Sequence, residues 1–273
     1  MNAAFLPHFS SLGIITLCLI VPPLIGGLVA GAGRIFDAKK QGMDAPSLLQ
    51  PFQDFDALWR NEAAGDSLSY VFMSMAFQVM ALVLLGLQKN LSPVLFLQAF
   101  GVLALIMGGM ARPVPYFSLS VNHGLKAFLT HQPILLLVAV GIFFATGSFN
   151  FSAIKEYPRL MVIDFPLLCA ALLIVEYANR NAINAGAASD PSLAVLKLAN
   201  CYRAGTLLLL AGFFFAHSLA GAALAAIVLH VLLVLIPRAA AYETWRRKTQ
   251  WSWGYVYFGC GLNLIWIYIK YWP

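Results

Sequence analysis

Apolar residues run along this chain in long, nearly uninterrupted blocks, separated by short polar stretches that hold most of the charge. The blocks lie at about 11–32, 68–88, 92–111, 129–147, 161–178, 202–219, 221–237 and 252–271. Each is about 20 residues long, enough to cross roughly 30 Å of hydrocarbon as a helix rising 1.5 Å per residue. Inside a bilayer every backbone amide must be satisfied within its own segment, so blocks of this kind predict helices. The pattern therefore predicts an all-α polytopic membrane protein with about eight transmembrane helices, forming a single transmembrane domain over residues 1–273. The first block has no Lys or Arg before it and runs past Pro22 and Pro23 into a Gly-rich end, which reads as a retained span rather than a cleaved signal peptide.

Composition sharpens this picture. Hydrophobic residues make up 61% of the 273 and charged residues only 10%, against about 25% charged in a soluble domain. The formal charge of +6 reports orientation rather than nucleic-acid binding. With the amino terminus outside, the loops at 33–67, 112–128, 179–201 and 238–251 share one compartment and carry most of the chain's 17 Lys and Arg. By the positive-inside rule that compartment is the cytoplasm, so the chain is expected in the cell's inner (cytoplasmic) membrane with both termini outside. Lys155 and Arg159 fall on the opposite side, next to Glu156. Trp251, Trp253, Tyr255 and Tyr257 at one end of the last block, and Trp266, Tyr268, Tyr271 and Trp272 at the other, form interfacial belts. Cys18, Cys169, Cys201 and Cys260 lie far apart, with no C-x-x-C pair to hold zinc or an iron–sulfur cluster.

The loop after the first block mixes charge with aromatics. Leu48, Leu49, Phe52, Phe55 and Trp59 recur at helical spacing opposite Gln53, Asp54 and Asp56, which predicts an amphipathic helix at the membrane interface. A helix resting on lipid headgroups favours Lys and Arg on its polar face. This one carries acids, which argues for a protein partner.

The same loop carries a resemblance. Arg34 after the first block, Lys39-Lys40-Gln41-Gly42, then Leu49-Gln50-Pro51-Phe52-Gln53-Asp54 and Leu58-Trp59 resemble the membrane subunit shared by respiratory complex I and the energy-converting (group 4) nickel–iron hydrogenases, including the formate hydrogenlyase type. Ala57 stands where that family has Lys. Gly108-Gly109-Met110, Ser118 to Lys126 and Gln132-Pro133 resemble its third span and following loop. Tyr157-Pro158 and Asp164 to Arg180 resemble its fifth span, with Glu176 and Arg180 in the places of a Glu and a basic residue. The family's acidic run after that span is absent, the chain reading Asn181-Ala-Ile-Asn-Ala-Gly-Ala-Ala-Ser instead.

The resemblance implies a non-catalytic anchor and coupling subunit of a hydrogenase-type complex that links electron transfer to H⁺ or Na⁺ translocation. It implies no cofactor in this chain. A nickel–iron centre and iron–sulfur clusters are expected in the partners: hydrogenase large and small subunits, a ferredoxin-like iron–sulfur subunit and antiporter-like membrane subunits. Expected docking residues are Arg34, Lys39, Lys40, Gln50, Pro51, Asp54, Asp56, Trp59, Arg60, Lys126 and Arg180. The alternative within the resemblance is the quinone-site membrane subunit of a complex I-type NADH dehydrogenase, which the missing acids disfavour.

Ionisable residues inside apolar blocks are costly, roughly 2.5–3.5 kcal/mol for an Asp at a span's centre, and therefore ask for a reason. Asp164 and Glu176 share the fifth block, about 18 Å apart along a helix. Each is either an acid near an interface, reaching water or a neighbouring Arg, or a member of an ion route, because a desolvated carboxylate can load and release protons. His217 and His230 are either interhelical hydrogen-bonding groups or proton relays on that route. His123 and His131 are expected on a solvated or partner-facing surface beside Arg112 and Lys126. Arg246-Arg247-Lys248 suits anionic headgroups or a partner.

An independent secondary transporter or a lipid-modifying enzyme is the rival from another class. Pro22-Pro23 with Gly26, Gly27, Gly31 and Gly33 could break a helix, but no internal repeat supplies a matching break. No catalytic constellation accompanies it.

Overall fold

The computed structural model of the chain describes residues 11–40, 42–60, 67–110, 115–182, 191–235, 254 and 256–271. Among them the chain is all helix: α1 (Ser11–Lys40), α2 (Gln50–Trp59), α3 (Ser67–Gly86), α4 (Leu91–Met110), α5 (Pro115–Thr146), α6 (Phe151–Glu156), α7 (Met161–Asp164), α8 (Pro166–Ala182), α9 (Pro191–Gly212), α10 (Leu219–Leu235) and α11 (Tyr257–Tyr271). Five segments, on α1, α3, α4, α5 and α9, are long and apolar enough to cross a membrane, and α8 and α10 are shorter apolar helices. The chain is an all-α polytopic membrane protein.

The bundle centres on α3, which packs closely against α4 and α9; α5 joins α4 to α8 and α11, and α10 lies along α9. Its core is Leu85, Leu91, Ile134, Ile142, Phe151, Phe165, Leu168, Leu172, Phe213 and Phe214, all essentially inaccessible. The outside is apolar too. Phe96 and Phe100 of α4, Leu224 and Leu232 of α10, and Phe258 and Ile265 of α11 point outwards, as a hydrocarbon solvent requires.

Local chemistry sets several boundaries differently from the apolar blocks. α1 continues eight residues past the expected end at 32 and closes where Gly42 takes φ +68. There Gly42 N–H donates to Lys39 O at 3.2 Å and Met43 N–H to Ala38 O at 3.0 Å, the doubly bonded helix ending that glycine permits. The expected loops at 112–128 and 179–201 are largely helix, since α5 begins at Pro115 and α9 at Pro191. The fifth block is broken. Pro166 lacks an N–H and disfavours helical geometry in the residue before it, so Phe165 adopts φ −129 and ψ 50 between α7 and α8.

α2 is seated on the chain itself. Pro51 occupies its first turn, where a missing N–H costs nothing. The Phe52 ring lies against Gly27, and the Leu48 carbonyl approaches Gly31 so closely that any side chain there would collide with it. Phe55 stacks on Trp59 at 6.2 Å between centroids, and Trp59 meets the edge of Phe72 at 6.5 Å.

Candidate functional site

Beside α1 the bundle is loosely closed. No residue in the apolar window of α1 is buried, and a cavity of about 1080 Å³ lies between α1, α2, α9 and α10, with Glu176 of α8 in its wall. Most of the lining is apolar. Its ionisable lining groups are Arg34, Lys155, Glu176, Lys197, Arg203 and His230, together with the thiols of Cys18 and Cys201.

Three of these groups gather at depth. Glu176 stands ten residues into α8 and His230 eleven into α10, and Arg203 stands nine before the end of α9. At 1.5 Å per residue all lie about 14–17 Å from the same end of the bundle. That these are the same end follows from the bond of Val162 N–H to Phe214 O at 2.9 Å, which joins the start of the broken helix to the turn between α9 and α10. Glu176 is buried, 5% exposed, and its carboxylate interacts electrostatically with the Arg203 guanidinium. Arg203 Nε is buried and has no hydrogen-bond partner among the described residues. A guanidinium keeps its charge in any protein setting. A carboxylate beside it, in a cavity that admits small molecules, can therefore hold and hand on a cation without a stranded negative charge.

Glu176 and His230 were expected on an ion route, and the structure brings them to one cavity. Arg203 was missed. The apolar block starts at residue 202 and sets Arg203 at its edge, whereas α9 begins at Pro191 and carries it about 18 Å in.

Asp164 is elsewhere. Its carboxylate accepts from Tyr157 Oη at 2.6 Å and from Lys270 Nζ at 2.7 Å. Its backbone carbonyl accepts from Asn263 Nδ2 at 3.2 Å, while Asn263 Oδ1 accepts from Leu168 N–H at 3.3 Å. Asn263 of α11 thus serves both ends of the break, capping an N–H in the first turn of α8 that has no partner in its own helix. His217 stands in the turn between α9 and α10, outside the cavity lining, with Nδ1 buried and unbonded among the described residues.

The expected docking residues divide. Arg34 Nη1 pairs with Asp54 Oδ2 at 2.6 Å, so those two join α1 to α2, and Gln50 and Pro51 are half-buried. Lys39, Lys40, Asp56, Trp59 and Arg60 are exposed, Arg60 pairing with Asp56 at 2.8 Å. Lys126 lies on α5 and Arg180 on α8, with side chains outside the described residues, as is that of His123. His131 is not on a surface. It is 4% exposed, because α5 starts well before it and carries it into the bundle. Arg112 and the run Arg246-Arg247-Lys248 lie outside the described residues.

All four cysteines are free. Among the described residues no three His, Cys, Asp or Glu side chains gather to hold a metal ion.

No family model matches the chain, and no curated protein sequence is similar to it. Among solved structures, a chain of the membrane-bound sulfane sulfur reductase, an archaeal respiratory membrane complex, has the same fold. The TM-score is 0.80 over 94% of this chain and 99% of that one, at 17% identity. At that identity the likeness is one of fold.

Proposed function

We propose that this chain is a membrane subunit of a respiratory energy-converting complex of the nickel–iron hydrogenase type, which anchors a soluble redox module and couples its electron transfer to H⁺ or Na⁺ movement. The observation that carries this reading is the meeting of Glu176, Arg203 and His230 in one cavity directly beneath α2. α2 is fixed to α1 by Arg34–Asp54 and the Phe52–Gly27 contact. Displacement of α2 or of its Arg34–Asp54 tie by a docked module reaches the cavity at Phe52 and Arg34, and Glu176 and Arg203 line the same cavity from α8 and α9. Glu176 is the group that loads and releases the ion, Arg203 holds the charge balance, and His230 relays. The exposed side of the elbow, Lys39, Lys40, Asp56, Trp59 and Arg60, faces the partner. The fold shared with a subunit of a respiratory membrane complex supports this role. Nickel–iron and iron–sulfur centres belong to the soluble partners and the antiporter-like subunits lie beside the bundle, in an inner membrane with both termini outside.

The test is Glu176→Gln in the intact complex. Ion translocation into vesicles should vanish while electron transfer from the soluble module to artificial dyes persists. Undiminished pumping removes Glu176 from the mechanism, and isolation of the chain alone, without a nickel-containing module, removes the hydrogenase-type assignment.

A further inference from the structure

The cavity is larger than an ion route requires. Its α1 wall runs from Ile14 to Arg34, about 30 Å at 1.5 Å per residue and so close to the full thickness of a hydrocarbon core. At about 1080 Å³ it exceeds the roughly 300–1,000 Å³ of ordinary small-ligand sites. α1 closes it only loosely, which leaves it open sideways towards lipid. Ala223 and Ala226 of α10 keep the far wall low.

Its charge is unbalanced. Arg34, Lys155, Lys197 and Arg203 line it against the single acid Glu176. Arg34 is satisfied by Asp54, but Lys197 has no ion pair or hydrogen bond among the described residues, and Arg203 has an unbonded buried Nε. Arg203 is balanced by Glu176 and Lys155 is exposed, so a neutral apolar occupant would leave the half-buried Lys197 as the cation without a counter-charge beside the groove.

We infer that the groove seats one anionic glycerophospholipid, its phosphate at Lys197 with Arg203 deeper along α9, and an acyl chain lying over Ala223 and Ala226. The lipid supplies the missing counter-charge and closes the open side of the cavity, keeping Glu176 and His230 from free hydrocarbon. The inference does not rest on the hydrogenase-type reading, since its readout is lipid retention rather than pumping.

The experiment is native mass spectrometry and lipid extraction of the complex purified in mild detergent. One phosphatidylglycerol-class lipid should be retained per copy of the chain. Lys197→Glu should lower its retention about fivefold or more, as loss of an attractive charge and gain of a repulsive one demands. Ala226→Leu, which fills the groove without altering charge, should displace the same lipid, and it keeps the test open if Lys197→Glu fails to fold. Removal of the lipid should quicken alkylation of Cys201, which lines the groove. Recovery of a neutral quinone in place of phospholipid, no retained lipid, or equal retention in wild type and both variants would overturn the proposal.

Discussion

Two places in this bundle bury an acid with a cation, and they are built in opposite ways. At the helix break, Asp164 receives short bonds from Tyr157 and Lys270, and Asn263 satisfies the backbone on both sides. Beneath α2, Glu176 and Arg203 attract each other across the edge of a cavity, and Arg203 Nε has no hydrogen bond among the described residues. A carboxylate with both oxygens held by short bonds is fixed. One that lines a cavity beside an incompletely bonded guanidinium is less constrained. The contrast separates a structural clasp from the site proposed to move ions, although both acids sit in one apolar block of the sequence.

The largest effects on stability are expected where a buried pair is severed, first at the clasp. Asp164→Asn leaves the Lys270 ammonium without its counter-charge and weakens the side-chain bonds from Lys270 of α11 and from Tyr157. Severing a buried pair costs about 3–5 kcal/mol. Lys270 is 34% exposed, so solvent screens part of that, and about 2–4 kcal/mol is expected. Thermal unfolding in detergent measures it. The double change Asp164→Asn with Lys270→Met should recover most of the loss, because no charge is then stranded. Unchanged stability in the single variant would make Asp164 a second working acid rather than a clasp.

The same substitution chemistry at the other place is distinguished from the clasp by its effect on function. Glu176→Gln keeps the side chain's shape and one acceptor but leaves the buried Arg203 guanidinium without its counter-charge, so a stability loss of about 2–4 kcal/mol, comparable to that at the clasp, is expected. Ion translocation should also be lost. Undiminished ion translocation in Glu176→Gln, or its equal loss in Asp164→Asn, would erase the distinction between the two regions.

What the sequence could disclose follows from what each signal averages over. Long apolar blocks locate helices because hydropathy sums many residues, and the spacing of Phe52, Phe55 and Trp59 locates α2. The same summing hides Arg203: Lys197, Asn200 and Arg203 dilute the first half of α9, so the apolar block begins only at 202 and Arg203 falls at its very edge. Pro166 was a visible warning of the break between α7 and α8. Its partners Asn263 and Lys270 lie about a hundred residues away, and no local pattern links them. Arg34 and Asp54 were legible as individual residues, but that they bond to each other depends on the turn at Gly42 folding α2 back onto α1.

That fold-back gives an intermediate case. Arg34 and Asp54 are each about a third exposed, so their pairing should contribute no more than about 0.5–1 kcal/mol, less in high salt. A double-mutant cycle of Arg34→Ala and Asp54→Ala reads this coupling directly. Coupling near zero would leave the Phe52–Gly27 and Leu48–Gly31 contacts as what seats α2. Coupling well above 1 kcal/mol would place this pair with the clasp.

The smallest effect on the fold belongs to Asp56 and Arg60, a pair one helical turn apart with side chains 59% and 77% exposed. Pairs of this kind contribute about 0.3–0.5 kcal/mol, so Asp56→Ala should leave thermal unfolding of the isolated chain almost unmoved. Its surroundings give it a different weight. Asp56 lies on the outward face of α2 near exposed Trp59, where a docking module would contribute the cations that this acid meets. Co-purification of the soluble module with Asp56→Ala should therefore fall while stability holds, and should fall further with Trp59→Ala added. If both variants assemble as well as the wild type, the outward face of α2 is a lipid-resting surface and not a docking face.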